Sequence, residues 1–211
     1  MPFGLVSRRI DLLPGQPGPE PIRLDTLVLL RWVAIAGQLA AVCAALLIGA
    51  EFALAPVLVV IALAAALNTM LMVRPGRRIS ADEAALQLGF DLVQVAILLA
   101  LTGGLTNPFA LLLLVPVTIA ATALPGRQVL ALAIATVLMV TLTGVFAQPL
   151  SFGAGAPMQI QQPLLVGHWF AIVIGAAFFA AFARRVAAEI SASSDALFAA
   201  RGDQLLGDAR A

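Results

Sequence analysis

Lysine is missing from this chain, charge of either sign is scarce, and cysteine and histidine occur once each. Each shortage excludes something. Only 11% of residues are charged and 62% are hydrophobic, against about 25% and roughly 45–50% in soluble domains. A soluble globule of 211 residues could not cover itself with so little polar surface. One cysteine, Cys43, rules out an intrachain disulfide. It sits inside an apolar run, where the expected role is that of a small buried hydrophobe. One histidine, His168, leaves a Ser-His-Asp triad without any supporting motif, and no nucleophile elbow, zinc-ligand spacing or P-loop occurs. No catalytic or metal-binding residue is therefore expected. A net charge of +1, with no basic patch interleaved with aromatics, gives no footprint for nucleic acid.

Long apolar runs are abundant. Stretches near the roughly 20 residues needed to cross a bilayer recur along the chain, at about 27–50, 52–73, 84–101, 109–124, 128–146 and 164–182. They predict an all-α integral membrane protein with six transmembrane helices and lipid as its main solvent. Residues 1–26 hold charges and five prolines but no apolar core of a signal peptide, so they read as a cytoplasmic lead-in. All twelve basic residues are arginines. They fall before or at the start of span one and after spans two, four and six, and none lies in the other three connections. The positive-inside bias then puts both termini in the cytoplasm. Beyond residue 182, residues 183–211 continue in helix-compatible sequence. There Val186, Ile190, Ser193, Leu197 and Ala200 alternate spacings of four and three, the period of a two-stranded seam.

Three places carry polar groups where lipid would not tolerate them idly. Asp91 lies about eight residues inside span three, roughly 12 Å at 1.5 Å per residue, with Gln87 and Gln94 on the same helical face. A charge at that depth costs about 2.5–3.5 kcal/mol and defaults to a functional hypothesis. Two readings stand side by side: a functional group such as a proton relay, or a neutral acid hydrogen-bonded to Asn68, Gln38 or Thr69. In either case Asp91 is expected to face the bundle interior and to be largely neutral.

The second place is the break "TGGLTNPF", residues 102–109. A tight turn explains the glycines and the Asn-Pro pair, yet a turn needs fewer residues, and Pro116 interrupts the following span as well. Irregular backbone near membrane depth requires protein or a cavity around it. Gly103 and Gly104 would let a flat ring approach the backbone. Asn107 offers an amide donor and acceptor and Phe109 an aromatic face, which are the parts needed to hold a quinone head group. The third place is His168 with Trp169, at the start of span six. Trp169 suits an interfacial belt, and His168 is a second candidate partner for a quinone carbonyl.

"LRWVAIAGQ" (30–38) followed by "GGLTNPF" (103–109) resembles the transmembrane sensor region of the RegB/PrrB/ActS family of redox-responsive sensor histidine kinases. The second motif, of form GGxxNPF, is the more specific. The resemblance covers about residues 24–186. It implies a bacterial inner-membrane sensor that reads the ubiquinone pool through Gly103, Gly104, Asn107, Pro108 and Phe109. It further implies a homodimer, an attached cytoplasmic kinase core and a cognate response regulator. The family's phosphoacceptor histidine, ATP-binding domain and redox-active cysteine have no counterparts here. The chain is expected to be a sensor without its kinase, and not an enzyme by itself. The alternative is a small transporter or membrane enzyme with Asp91 as proton relay, although the break at 102–109 has no counterpart in the other half of the chain.

Overall fold

The computed structural model describes residues 24–73, 78–152 and 164–182, together with 185, 186, 189 and 193. Among these, five helices are long and apolar enough to cross a membrane. They are α1 (Leu24–Leu47), α2 (Leu54–Met72), α3 (Ala81–Leu101), α5 (Gly126–Phe146) and α6 (Leu164–Phe182). The fourth crossing is built differently. A 3-10 turn at Gly104–Thr106 leads into a 3-10 stretch at Pro108–Leu114, which becomes α4 (Val115–Ala123).

That composite element is short in residues and long in reach. Seven residues at about 2.0 Å and nine at about 1.5 Å give roughly 28 Å, close to the hydrocarbon thickness of about 30 Å. Pro116 explains the change of winding. It has no N–H to offer the carbonyl of Leu112 and its ring crowds that carbonyl in an α-helix. The backbone N–H of Val115 bonds the Leu112 carbonyl instead, closing the tighter turn.

Two spans begin about three residues earlier than hydrophobicity alone suggests. α1 starts at Leu24 and ends at Leu47, where Gly49 at φ +76° turns the chain. Ala50 is not the last helical residue: it pairs with Phe152, and Glu51 with Ser151, in a two-residue antiparallel ladder. α3 starts at Ala81 because Ser80 and Glu83 form a reciprocal capping box, which satisfies two of the free N–H groups of the first turn. The ladder joins the turn between α1 and α2 to the chain leaving α5, so both lie at one end of the bundle.

Two clusters of buried side chains stack along the bundle. One gathers Leu24, Ile79, Ala84, Leu88, Val117, Leu124 and Val129 at the end where α1, α3 and α5 begin. The other gathers Leu92, Leu99, Leu105, Ala110, Leu113, Val140 and Ile172 toward the opposite end. A third cluster, of Ile35, Val57, Ile61 and Ala64, seals α1 against α2. Large apolar side chains such as Leu29, Val33, Leu63, Ile134 and Phe178 point outward, as lipid-facing surfaces do. Cys43 is on that outer surface rather than buried: α1 turns its buried stripe of Leu24, Leu27, Val28, Arg31 and Ile35 away from it. The lead-in at 1–23 lies outside the described residues, as do Ile190, Leu197 and Ala200 of the seam.

Candidate functional site

α3 carries the polar face that the sequence indicates, and α1 answers it. Gln87, Asp91 and Gln94 recur at four and three residues, so they share one side of α3. Arg31 and Gln38 are seven residues apart, two turns, on α1. Arg31 Nε donates to Asp91 Oδ1 at 2.6 Å and Nη2 donates to Oδ2 at 3.1 Å, a two-pronged ion pair. Nη2 also reaches the side-chain and backbone oxygens of Gln87, at 2.9 and 3.2 Å. One level further along, Gln94 Nε2 donates to Gln38 Oε1 at 2.8 Å and Gln38 Nε2 returns a longer bond of 3.5 Å. The face of Phe90 lies 5.4 Å from the guanidinium carbon, close enough for a cation–π contribution.

Asp91 therefore does face the bundle interior, but it is not a lone acid. Neither Asn68 nor Thr69 holds it: Asn68 Nδ2 donates to the Val28 carbonyl at 2.9 Å and Thr69 bonds its own helix. Both Asp91 oxygens accept from a guanidinium, which stays charged at any physiological pH. The partner of this carboxyl is therefore a guanidinium on α1 rather than Asn68 or Thr69. Arg31 is the residue that sequence reasoning missed. Counted with the loop arginines, it is in fact eight residues into α1 and 3% exposed. The signal was an arginine four residues inside an apolar run, where expense argues for a partner.

The 103–109 segment is braced from within. Gly103 and Gly104 take φ values of +105° and +63°, the region where a β-carbon is penalised. Both are buried. A β-carbon on Gly104 would overlap that of Ala147 and press on the Thr143 carbonyl at 3.0 Å. On Gly103 it would stand 2.9 Å from Thr106 Oγ1 and 3.1 Å from Leu150 Cβ. At these positions the close approach that glycine permits is that of the α5 end and the chain after it.

Asn107 is equally committed. Its Nδ2 donates to the carbonyl and the hydroxyl of Thr102, both at 2.9 Å, and its Oδ1 accepts from the Phe109 N–H at 2.9 Å. The amide caps the following 3-10 stretch, and its two N–H groups hold the end of α3. What the segment presents outward is Pro108 and the Phe109 ring, 47% exposed. Ala110 and Leu113 turn inward beside Leu105.

α6 packs on this corner. Ile172 is buried with Leu105, Ala110 and Leu113, and Leu114 fills the place where a side chain on Gly175 would be. Trp169 belongs to the same cluster and its Nε1 donates to Thr141 Oγ1 at 2.9 Å, so it docks α6 on α5. His168, one residue before it, is half-buried, and its Nδ1 has no hydrogen-bond partner among the described residues. No group of three metal-ligating side chains converges among the described residues.

The chain is thus a six-span helical membrane domain, with an arginine–aspartate pair in its interior and a glycine-braced Asn-Pro corner. The chain belongs to the PilS-like transmembrane domain family, whose model matches residues 25–196. It is a multi-pass protein of the bacterial inner membrane. It is similar to the sensor histidine kinase RegB of Cereibacter sphaeroides, 41% identical over 180 residues that make up 84% of this chain and 39% of that protein. A second RegB sequence from the same organism is 40% identical over 181 residues, with the same coverage. The chain thus spans about two fifths of the length of the curated relatives it matches. No solved structure matches it.

Proposed function

We propose that this chain is the sensory membrane module of a two-component sensor histidine kinase, and that its ligand is ubiquinone held at the 103–109 segment. The module works as a homodimer, with both termini cytoplasmic, and passes the state of the quinone pool to a kinase core and its response regulator. Similarity to RegB over 84% of the chain supports the kinase link. The spacing of Val186, Ile190 and Ser193 supports the dimer. The observation that carries the ligand reading is Phe109. It is a half-exposed ring on a rigid, internally hydrogen-bonded corner, where stacking meets no cost of ordering the protein.

In this arrangement Asn107 acts first as the brace that orients Phe109. Its Oδ1 has one lone pair left for a quinol hydroxyl, and His168 on α6 is the second candidate partner. The relay alternative is weaker, because both oxygens of Asp91 are taken by Arg31.

The test is titration of the nanodisc-held chain with a short-tailed ubiquinone, by calorimetry or tryptophan fluorescence. Phe109→Ala should lose about 0.5–1.5 kcal/mol of stacking, a roughly 2- to 13-fold weaker affinity. Unchanged affinity in this variant, with helical content intact, refutes the assignment. Gly104→Val is a poor probe, since it disturbs the α5 contact before it can meet a ligand.

A further inference from the structure

We propose that the polar rungs between α1 and α3 (Arg31 on Asp91 and Gln87, Gln38 on Gln94) are positioning residues for the 103–109 segment. They set the axial register of α3 against α1, and α3 sets the place of Phe109. The inference rests on the quinone reading above and adds how that site is regulated.

Apolar helix faces in lipid slide past one another at little cost, because lipid tails are as apolar as leucine. Directional bonds decide register instead. The α1–α3 contact has two such levels, separated by the seven residues from Arg31 to Gln38. Slipping α3 by one turn, about 5.4 Å, would break both levels together. It would also strand a guanidinium that is 2% exposed. The register is thus locked rather than graded.

From Gln94 the helix runs eight residues, roughly 12 Å, to Thr102, the cap of α3. Thr102 supplies both acceptors of the Asn107 amide, and Asn107 in turn fixes the N–H of Phe109. The Gln148 N–H bonds the Ala100 carbonyl at 2.7 Å, so the chain leaving α5 is tied to the same helix end. A continuous line of hydrogen bonds and one helix therefore joins Arg31 to the ring at Phe109. By reciprocity, a ligand that prefers one position of Phe109 must bias the rungs by the same coupling.

The experiment uses the full chain in nanodiscs. Gln38→Met with Gln94→Met removes one level while leaving no polar atom stranded. Trp32→Phe is the control: it removes the bond from Trp32 Nε1 to Met72 Sδ, which ties α1 to α2 and spares α3. Two quantities are read, the dissociation constant for a short-tailed ubiquinone by calorimetry and the NMR shift of the Asn107 side-chain amide. The double variant should bind roughly fivefold or more weakly and move the Asn107 signal, whereas Trp32→Phe should do neither. A loss of packing stability alone would not move that amide. Should the double variant fail to fold, Asp91→Asn keeps one acceptor for Arg31 and gives the same two readouts. Unchanged affinity in the rung variants, with Phe109→Ala still weakened, overturns the rungs and leaves the quinone site standing. Absence of binding by the wild type overturns both.

Discussion

Removing the two partners of the Arg31–Asp91 pair one at a time should cost unequal amounts. In Asp91→Leu the guanidinium keeps only the Gln87 oxygens. It is 2% exposed and cannot shed its proton. Breaking a buried pair in this way costs about 3–5 kcal/mol. Arg31→Met strands a carboxylate instead. The Asp91 side chain is 24% exposed, and a carboxylate without its cation can be neutralised by a proton, so the cost falls to the roughly 1–3 kcal/mol of an unsatisfied buried polar group. The double variant replaces both by apolar side chains of similar volume and should lie within about 1 kcal/mol of wild type. The singles at their smallest, less the double at its largest, leave a coupling of about 3 kcal/mol or more. Unfolding of the four proteins in mixed micelles, followed by far-ultraviolet circular dichroism, gives the cycle. Additive single costs would refute the pairing, and equal single costs would refute the argument from exposure.

The remaining predictions concern backbone and topology. Gly104→Ala should destabilise by roughly 2–5 kcal/mol, combining the left-handed penalty with overpacking against Ala147 and the Thr143 carbonyl. Gly37→Ala, with nothing within 4 Å of the added carbon in α1, should stabilise by about 0.5–1 kcal/mol. Thermal unfolding compares them, and equal effects would sink the close-approach account. Reporter fusions after Arg77, Arg127 and Arg185 should report cytoplasm, and those at Glu51 and Thr106 the opposite side. A cytoplasmic signal at Thr106 refutes the proposed orientation.

The arginine bias behind that orientation survives one subtraction. Arg31 is inside α1 and sets no loop charge, so eleven of the twelve arginines carry the argument. The bias is unaffected because the opposite connections hold none.

Composition and apolar run length determined by themselves that this is a six-span helical membrane domain, because lipid admits few other ways to satisfy a backbone. They also located the break at 102–109 and the polar face of α3, since glycine, Asn-Pro and intramembrane carboxylates are conspicuous against an apolar background. Tertiary structure decided what those residues touch. Gly104 faces Ala147, Asn107 spends its amide on Thr102 and Phe109, and Asp91 meets Arg31 across sixty positions of chain. Such partners depend on which helix faces come together, and the all-round hydrophobicity of the spans carries no record of that. Only the packed bundle turns an arginine that reads as a loop charge into the counter-ion of an aspartate.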